Sequence, residues 1–372
     1  MPPWELREGP LKFMTRHRPS VNGTGSVTLK SVAQKVGLSP GTVSAVLNDS
    51  PSSLHIPQAT RDRILAAARE LKYRPNFFAR SLRKQRTYTL GIIANNLGDA
   101  YAPMVISGIE TFVRQKDYFF ITGVHHHNPD LLERYTSLLL QRGVEGLITI
   151  DLSLEYAPPL PTVAIPGHAQ QEGVTNIVLD HHHAVLLALR HLAEAGHRDI
   201  AFMRGNPTSA DAHARWQAIC EVAPQAGIVV RPELTVQLEM EEFSPELGYP
   251  FAKELLARNR PFTALFAYND ISAIGAMRAF QEAGLRVPQD ISVVGFDDIP
   301  GAAYQYPSLT TVRQPVRRMG EIAAETLIAR IEGKQQGPSE IAVQGELVVR
   351  ESTGPASPWR DLDVGLRVAS TR

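Results

Sequence analysis

Residues 27–48 read VTLKSVAQKVGLSPGTVSAVLN, and this stretch decides what kind of protein the chain is. Thr28 is a good N-cap, and Leu29, Val32, Ala33 and Val36 recur at the spacing that places apolar side chains on one helix face. Gly37 ends that helix, where a left-handed residue is cheap only for glycine. Ser39 caps the next helix, and Pro40 stands at its first position, where a missing N–H costs nothing. Val43, Val46 and Leu47 supply the second buried stripe. A third helix, QATRDRILAAARELKY, is expected to turn Ile64, Leu65, Ala68 and Leu71 inward. Three short helices with a glycine-bearing tight turn describe a helix-turn-helix head, a pattern that an unrelated small helical bundle could share.

Charge separates this head from the rest. The 372 residues carry no net charge, but residues 1–90 hold 15 Lys and Arg against 5 Asp and Glu, while residues 91–372 hold 23 against 33. A balance of +10 followed by −10 is that of a nucleic-acid-binding head on an acidic body, or of a merely solvated basic face. No apolar run is long enough to span a membrane, and the N-terminus has no apolar signal region, so a cytoplasmic protein is expected. The single Cys220 supports neither an internal disulfide nor a thiolate metal cluster.

Residues 1–26, rich in Pro, Gly, Ser and Thr, are expected to be a disordered arm ahead of the head at 27–74, with a hinge or linker at 75–88. From Leu90 onward short apolar runs alternate with amphipathic stretches: LGIIANN, PMVISGIETFVRQKD, YFFITGVHHH, and so on to ISVVGFDD. Strands separated by helices of 10–15 residues point to parallel sheets, and two such series point to two similar α/β lobes. No dinucleotide fingerprint and no phosphate-binding loop occurs. Ligands of open α/β sheets sit at the carboxyl ends of strands, so a cleft between the lobes is the expected site.

Four literal strings now carry a resemblance. VTLKSVAQKVGLSPGTVSAVLN, TRDRILAAARELKYRPNFFARSLR, FAYNDISAIGAMRAF and ISVVGFDDIPGAAYQYPSLTTVRQP resemble, in that order, segments of the lactose-repressor (LacI/GalR) family over roughly residues 27–352. The resemblance implies a homodimer with paired heads in major grooves, hinge helices in the minor groove, and a periplasmic-binding-protein-like core whose effector controls the heads. It also implies a core at 89–352, with lobe 1 about 89–180 and 314–340, lobe 2 about 181–313 and 341–352, and a tail at 353–372. That tail lacks a heptad leucine repeat, so a dimer is expected rather than a tetramer.

The family's base-reading positions fall on Pro40, Gly41 and Ala45, none of which has a side-chain hydrogen-bonding group. Thr42, Ser44 and Asn48 suit phosphate oxygens, which set register without carrying sequence information. Ser39 could do the same, although capping is its stronger role. The loop after Asn48 is about three residues longer than is common in the family, and His55 can reach DNA from it. In NFFARSL, beginning at Asn76, the match puts Ala79 and Leu82 at minor-groove positions, with Leu82 as a wedge that parts a base step. Arg80 and Arg83, with Lys84 and Arg86, would neutralise phosphates.

The family's cleft residues transfer to Arg215, Asn269 and Asp297. Amides and carboxylates at strand ends suit a ligand's hydroxyls, and Arg215 offers forked donation. Tyr101 lies near the first strand's end, and Phe243 either stacks a sugar ring or simply packs. Asp270 and Asp298 are read instead as capping following structure. Where the family often has Asp or Asn in TVAIPGHA, this chain has Pro166 and Gly167, which leaves the ligand class open. Two triple-histidine runs, His125–His127 and His181–His183, are not expected to hold a metal, because neighbours on an extended chain point to opposite faces. One ring of each run, His125 in particular, is expected to line the cleft.

The function expected is that of a sequence-specific DNA-binding regulator, a repressor, controlled by a small polar effector such as a sugar, with no catalytic residues and no cofactor. A transport-type solute-binding protein would share the core but not the basic head. A hydrolase lacks support, since no GxSxG elbow occurs.

Overall fold

The computed structural model describes residues 27–74, 81, 85–98, 100–126, 128–152, 154, 158–168, 171–207, 209–238, 247–334 and 339–358. The expected arm, most of the hinge and the end of the tail lie outside these residues. Two compact units divide at Arg86 and Thr87.

In the first unit, α1 (Leu29–Val36) is closed at its start by a reciprocal cap between Thr28 and Ser31 and at its end by Gly37 at φ 69°. Helix α2 (Pro40–Leu47) starts on Ser39, whose side chain accepts from the Thr42 N–H, and α3 (Gln58–Glu70) follows a short 3-10 turn at Pro51–His55. Val32, Ala33, Val36, Val43, Val46, Ile64, Ala67 and Ala68 form the buried core. Leu65, expected inside, is 40% exposed, and Ala67 takes the inward place. The inward row runs 64, 67, 68 and 71, and residue 65 lies about 100° around the helix from 64.

The second unit contains two six-stranded sheets. The first has the order β11-β5-β4-β3-β1-β2 and is parallel throughout, with β1 at Thr89–Ala94, β2 at Phe119–Val124, β3 at Gly146–Ile150, β4 at Thr162–Ile165, β5 at Val174–Leu179 and β11 at Glu340–Val343. The second has the order β12-β10-β9-β8-β6-β7 and is parallel except for the antiparallel pair β10 with β12. Its strands are β6 (Ile200–Arg204), β7 (Thr235–Gln237), β8 (Ala264–Phe266), β9 (Ser292–Asp297), β10 (Thr310–Arg313) and β12 (Glu346–Val348). Both faces of this second sheet are covered. Leu265 and Val293 belong to one apolar cluster, while Ala264, Phe266, Val294 and Phe296 belong to the other, as the alternation of side chains along a strand requires.

Helix α4 (Tyr101–Arg114), α5 (Pro129–Gln141) and α10 (Val316–Ile331) serve the first lobe, whose main apolar core joins α4 and α10 to the sheet. The second lobe carries α6 (His181–Glu194), α7 (Ala210–Val222), α8 (Tyr249–Ala257) and α9 (Asp270–Glu282). The chain passes between lobes after β5, after β10 and after β11. This last return comes at Gln344–Gly345 rather than at 341, because Glu340–Val343 first add a parallel strand beside β5. The segment expected as the start of a tail is likewise built in. Thr353 Oγ1 lies 2.9 Å from His191 Nε2, Gly354 N–H donates to Ser292 Oγ, and Ala356 N–H donates to Ala195 O. Among the described residues no helix is long and apolar enough to cross a membrane.

Candidate nucleic-acid interface and effector cleft

On the head, Ser39, Pro40 and Gly41 are exposed at the start of α2, and Thr42, Ser44, Ala45 and Asn48 are half-buried. Ser39 Oγ lies 3.1 Å from the Thr42 N–H it caps and 2.9 Å from Thr42 Oγ1, so both side chains are engaged with each other. Asn48 Nδ2 donates to Ser44 O and approaches Ser44 Oγ. The polar groups of this face are therefore preorganised, and the residues between them are small. His55 is exposed at the end of the 3-10 turn. Asn76, Ala79, Arg80, Leu82 and Arg83 lie outside the described residues.

Gly41 sits inside a helix, and a Cβ added there would meet only Ser39 Oγ, at 3.7 Å. The head itself does not need glycine at this place. Gly41→Ala is therefore expected to leave the head's melting temperature unchanged or raise it, by up to about 1 kcal/mol of helix propensity. A lowered melting temperature would mean that the backbone there is strained.

In the core, the loops after the strands gather a polar cluster. Asp211, in the first turn of α7, is its centre. Its Oδ1 receives His181 Nε2 at 2.8 Å and His168 Nε2 at 3.4 Å, and its Oδ2 receives Arg215 Nη2 at 2.8 Å. His168 follows β4 of the first lobe, His181 opens α6, and Arg215 is one turn beyond Asp211. Burial acts to raise the Asp211 carboxyl, but His181, then His168 and Arg215, hold it well below the usual carboxylate range. Arg215 loses solvation through burial, yet Asp211 keeps its guanidinium charged. Burying one charge alone would be expensive, and pairing is what permits both.

Arg215 is less free than the sequence suggests. Nη1 donates to Tyr268 O at 2.6 Å, Nη2 goes to Asp211, and the guanidinium lies 3.8 Å from the Phe296 ring centre. Each terminal nitrogen thus spends one N–H inside the protein, while the buried Nε has no hydrogen-bond partner among the described residues. Asn269 is similarly engaged as the N-cap of α9, its Oδ1 accepting from the Ser272 N–H. Asp297 has φ 110° and accepts from Gln314 Nε2 at 2.6 Å. Tyr101 encloses its hydroxyl in the same region, where burial, then Asp211, Asp297 and Asp151, raise it well above the usual phenol range. His125 is buried at the end of β2, and Phe243 lies outside the described residues.

Asp270 and Asp298 have structural partners, though neither caps a helix. Asp270 accepts from Thr311 Oγ1 and from the Ile299 N–H, tying α9 to β10. Asp298 takes Arg313 Nε and Arg350 Nη2, each at 2.6 Å. Of the second histidine run, His181 is buried against Asp211, while the exposed His182 pairs with Glu221. Asp211 and His168 were missed from the sequence. The four-residue step from Asp211 to Arg215 in ADAHAR was the available signal, since such pairs meet on one helix face.

A helix-turn-helix head followed by a core of two parallel-sheet lobes, with a polar cluster gathered at the strand ends, is the build of a DNA-binding transcription regulator. Residues 28–76 match the bacterial regulatory proteins of the lacI family, and residues 189–353 match the periplasmic binding protein-like domain. Over 343 residues the chain is 36% identical to the HTH-type transcriptional repressor PurR of Erwinia tasmaniensis, covering 90% of this chain and 98% of that one. The repressor of the same name from Yersinia enterocolitica is 35% identical with the same coverage. The crystal structure of the lac repressor dimer bound to operator and the anti-inducer ONPF aligns with a TM-score of 0.79 and 27% identity, covering 88% of this chain and 99% of that one. The transcriptional regulator CelR–cellobiose complex aligns at 0.65 and 28%, covering 87% and 99%. The chain belongs to the lacI family of bacterial regulatory proteins.

Proposed function

We propose that this chain is a homodimeric repressor that binds a specific operator through α2 and the hinge, and that a small polar ligand in the core cleft sets its operator affinity. The observation that carries the reading is the head, a capped helix whose exposed start bears only small residues. Without Arg, Lys, Gln or Asn at the base-reading positions, direct readout is limited to methyl contacts and close backbone approach. Sequence choice then falls largely on the deformability of the step that Leu82 parts. The relatives support repression, being themselves named repressors. The CelR complex with cellobiose supports a sugar or a similar polar metabolite as the ligand class. Coupling between cleft and operator is expected on the order of 1–3 kcal/mol.

Fluorescence anisotropy with DNA from upstream of the chain's own gene and its neighbours tests the first half. Tight binding that weakens steeply with salt is expected, and no salt-sensitive binding to any of these sequences would overturn the reading. Leu82→Ala is expected to weaken specific binding about tenfold or more while leaving non-specific binding nearly unchanged, in keeping with unstacking energies of a few kcal/mol. Equal losses on both kinds of DNA would show that Leu82 is no wedge. A thermal-shift screen of sugars, nucleosides and related metabolites tests the second half, because a cleft ligand raises the melting temperature by mass action. Sedimentation at the mass of two chains is the expected oligomeric state.

A further inference from the structure

We propose that His168, His181 and Asp211 form a binding site for a divalent transition-metal ion of the zinc type, joining the two lobes of the core. Each residue offers one ligand atom, and the three atoms lie within 4.8 Å of one another. They come from three separate places in the fold: the loop after β4, the start of α6 and the start of α7. The objection to the histidine runs, that neighbouring rings diverge, therefore does not apply here, because only one ring of a run takes part.

The geometry suits such an ion. Bonds of about 2.1 Å at tetrahedral angles place ligand atoms about 3.4 Å apart. His168 Nε2 and Asp211 Oδ1 already stand 3.4 Å apart, and the 2.8 Å between His181 Nε2 and Asp211 Oδ1 needs to open only slightly. Arg215 holds the other carboxylate oxygen, Oδ2, at 2.8 Å, which fixes the plane of the carboxylate and leaves Oδ1 for the metal. Two imidazoles and a carboxylate with a fourth position open to water or ligand is a set that zinc accepts. His168 is the way in, its side chain being 25% exposed while His181 and Asp211 are buried.

The surrounding charge also favours a dication. Asp211, Asp297 and Asp151 are the carboxylates whose fields act on Tyr101 and Tyr268, and Arg215 is the cation set against them. With His168 and His181 neutral, as metal ligation requires, three carboxylates face one guanidinium, an excess of negative charge that a divalent ion offsets. His181 Nδ1 is buried with no hydrogen-bond partner among the described residues. Metal-ligating histidines normally have such a partner, and its loss typically weakens binding by about 10–100-fold, so an exchangeable ion is expected rather than a permanent structural one.

The site stands or falls independently of operator control, so its test needs no DNA. The full chain, carrying no histidine tag, is titrated with Co2+ alone and followed by visible absorption, and then with Zn2+ by calorimetry. One Co2+ per chain with the strong absorption of a four-coordinate ion, displaced by Zn2+, is expected. His168→Gln removes a partly exposed ligand and Asp211→Asn keeps the side-chain shape. Each is expected to weaken binding by more than about tenfold with an unchanged circular dichroism spectrum. If Asp211→Asn unfolds, His168→Gln alone decides. No binding at millimolar metal, or equal binding by the His168→Gln chain, would overturn the proposal. So would Asp211-dependent stabilisation by spermidine with none by Co2+, since the negative cleft would then be built for an organic amine.

Discussion

Asp211→Ala is expected to destabilise the core by about 3–5 kcal/mol, because it strands the Arg215 guanidinium without its counter-charge in a dry place. Arg215 is 4% exposed and Asp211 7%, so water cannot replace the lost partner. The second half of the prediction concerns the pair. Asp211→Ala combined with Arg215→Met removes both charges, and most of the loss should return, since a buried ion pair contributes little beyond what well-packed apolar side chains give. Urea denaturation of the three variants beside the parent protein measures this. A loss below about 1 kcal/mol in Asp211→Ala would show that solvent reaches the guanidinium.

The second large effect is expected in the first lobe, where α4 and α10 meet backbone to backbone. A Cβ built on Gly320 would lie 2.1 Å from Val105 O, and one built on Gly108 would lie 1.9 Å from Arg317 O. Neither neighbour is the movable end of a side chain, so the helices must separate to admit any larger residue. Gly320→Val is expected to cost about 3 kcal/mol or more, at the upper end for an overpacked core. Gly108→Ala should be strongly destabilising as well. Combining the two should lose less than the sum, because helices already parted by one substitution give room for the other. Strict additivity in chemical denaturation would mean that the two glycines do not share one contact.

Both predictions rest on features that a reader of the sequence meets with different success. The head was legible because its signals are local. A cap at Thr28, a left-handed Gly37, a cap at Ser39 and apolar steps of three and four all act within a turn or two of helix. Where that reading slipped, at Leu65, it did so by one residue on a helix face. The two parallel-sheet lobes were legible for the same kind of reason, as strands and helices alternate in series. The return of the chain at Gln344–Gly345 was not, because a four-residue strand such as Glu340–Val343 carries no sign of which sheet it will join.

The cleft divides in the same way. Arg215, Asn269 and Asp297 could be picked out by resemblance, but their duties could not. Whether a guanidinium faces a ligand or is spent on a carboxylate and a carbonyl depends on groups that stand far off in the chain. Arg215 Nη1 ends on Tyr268 O, 53 residues away, while Asp211 gathers His181 from 30 residues away and His168 from 43. The sequence by itself determined the helix-turn-helix head, the basic and acidic halves and the repeated α/β pattern, all of which follow from propensity, periodicity and composition. Only the tertiary structure decided which polar side chains meet at the strand ends. Such a meeting depends on how whole elements pack, and side-chain periodicity carries no information beyond its own helix or strand.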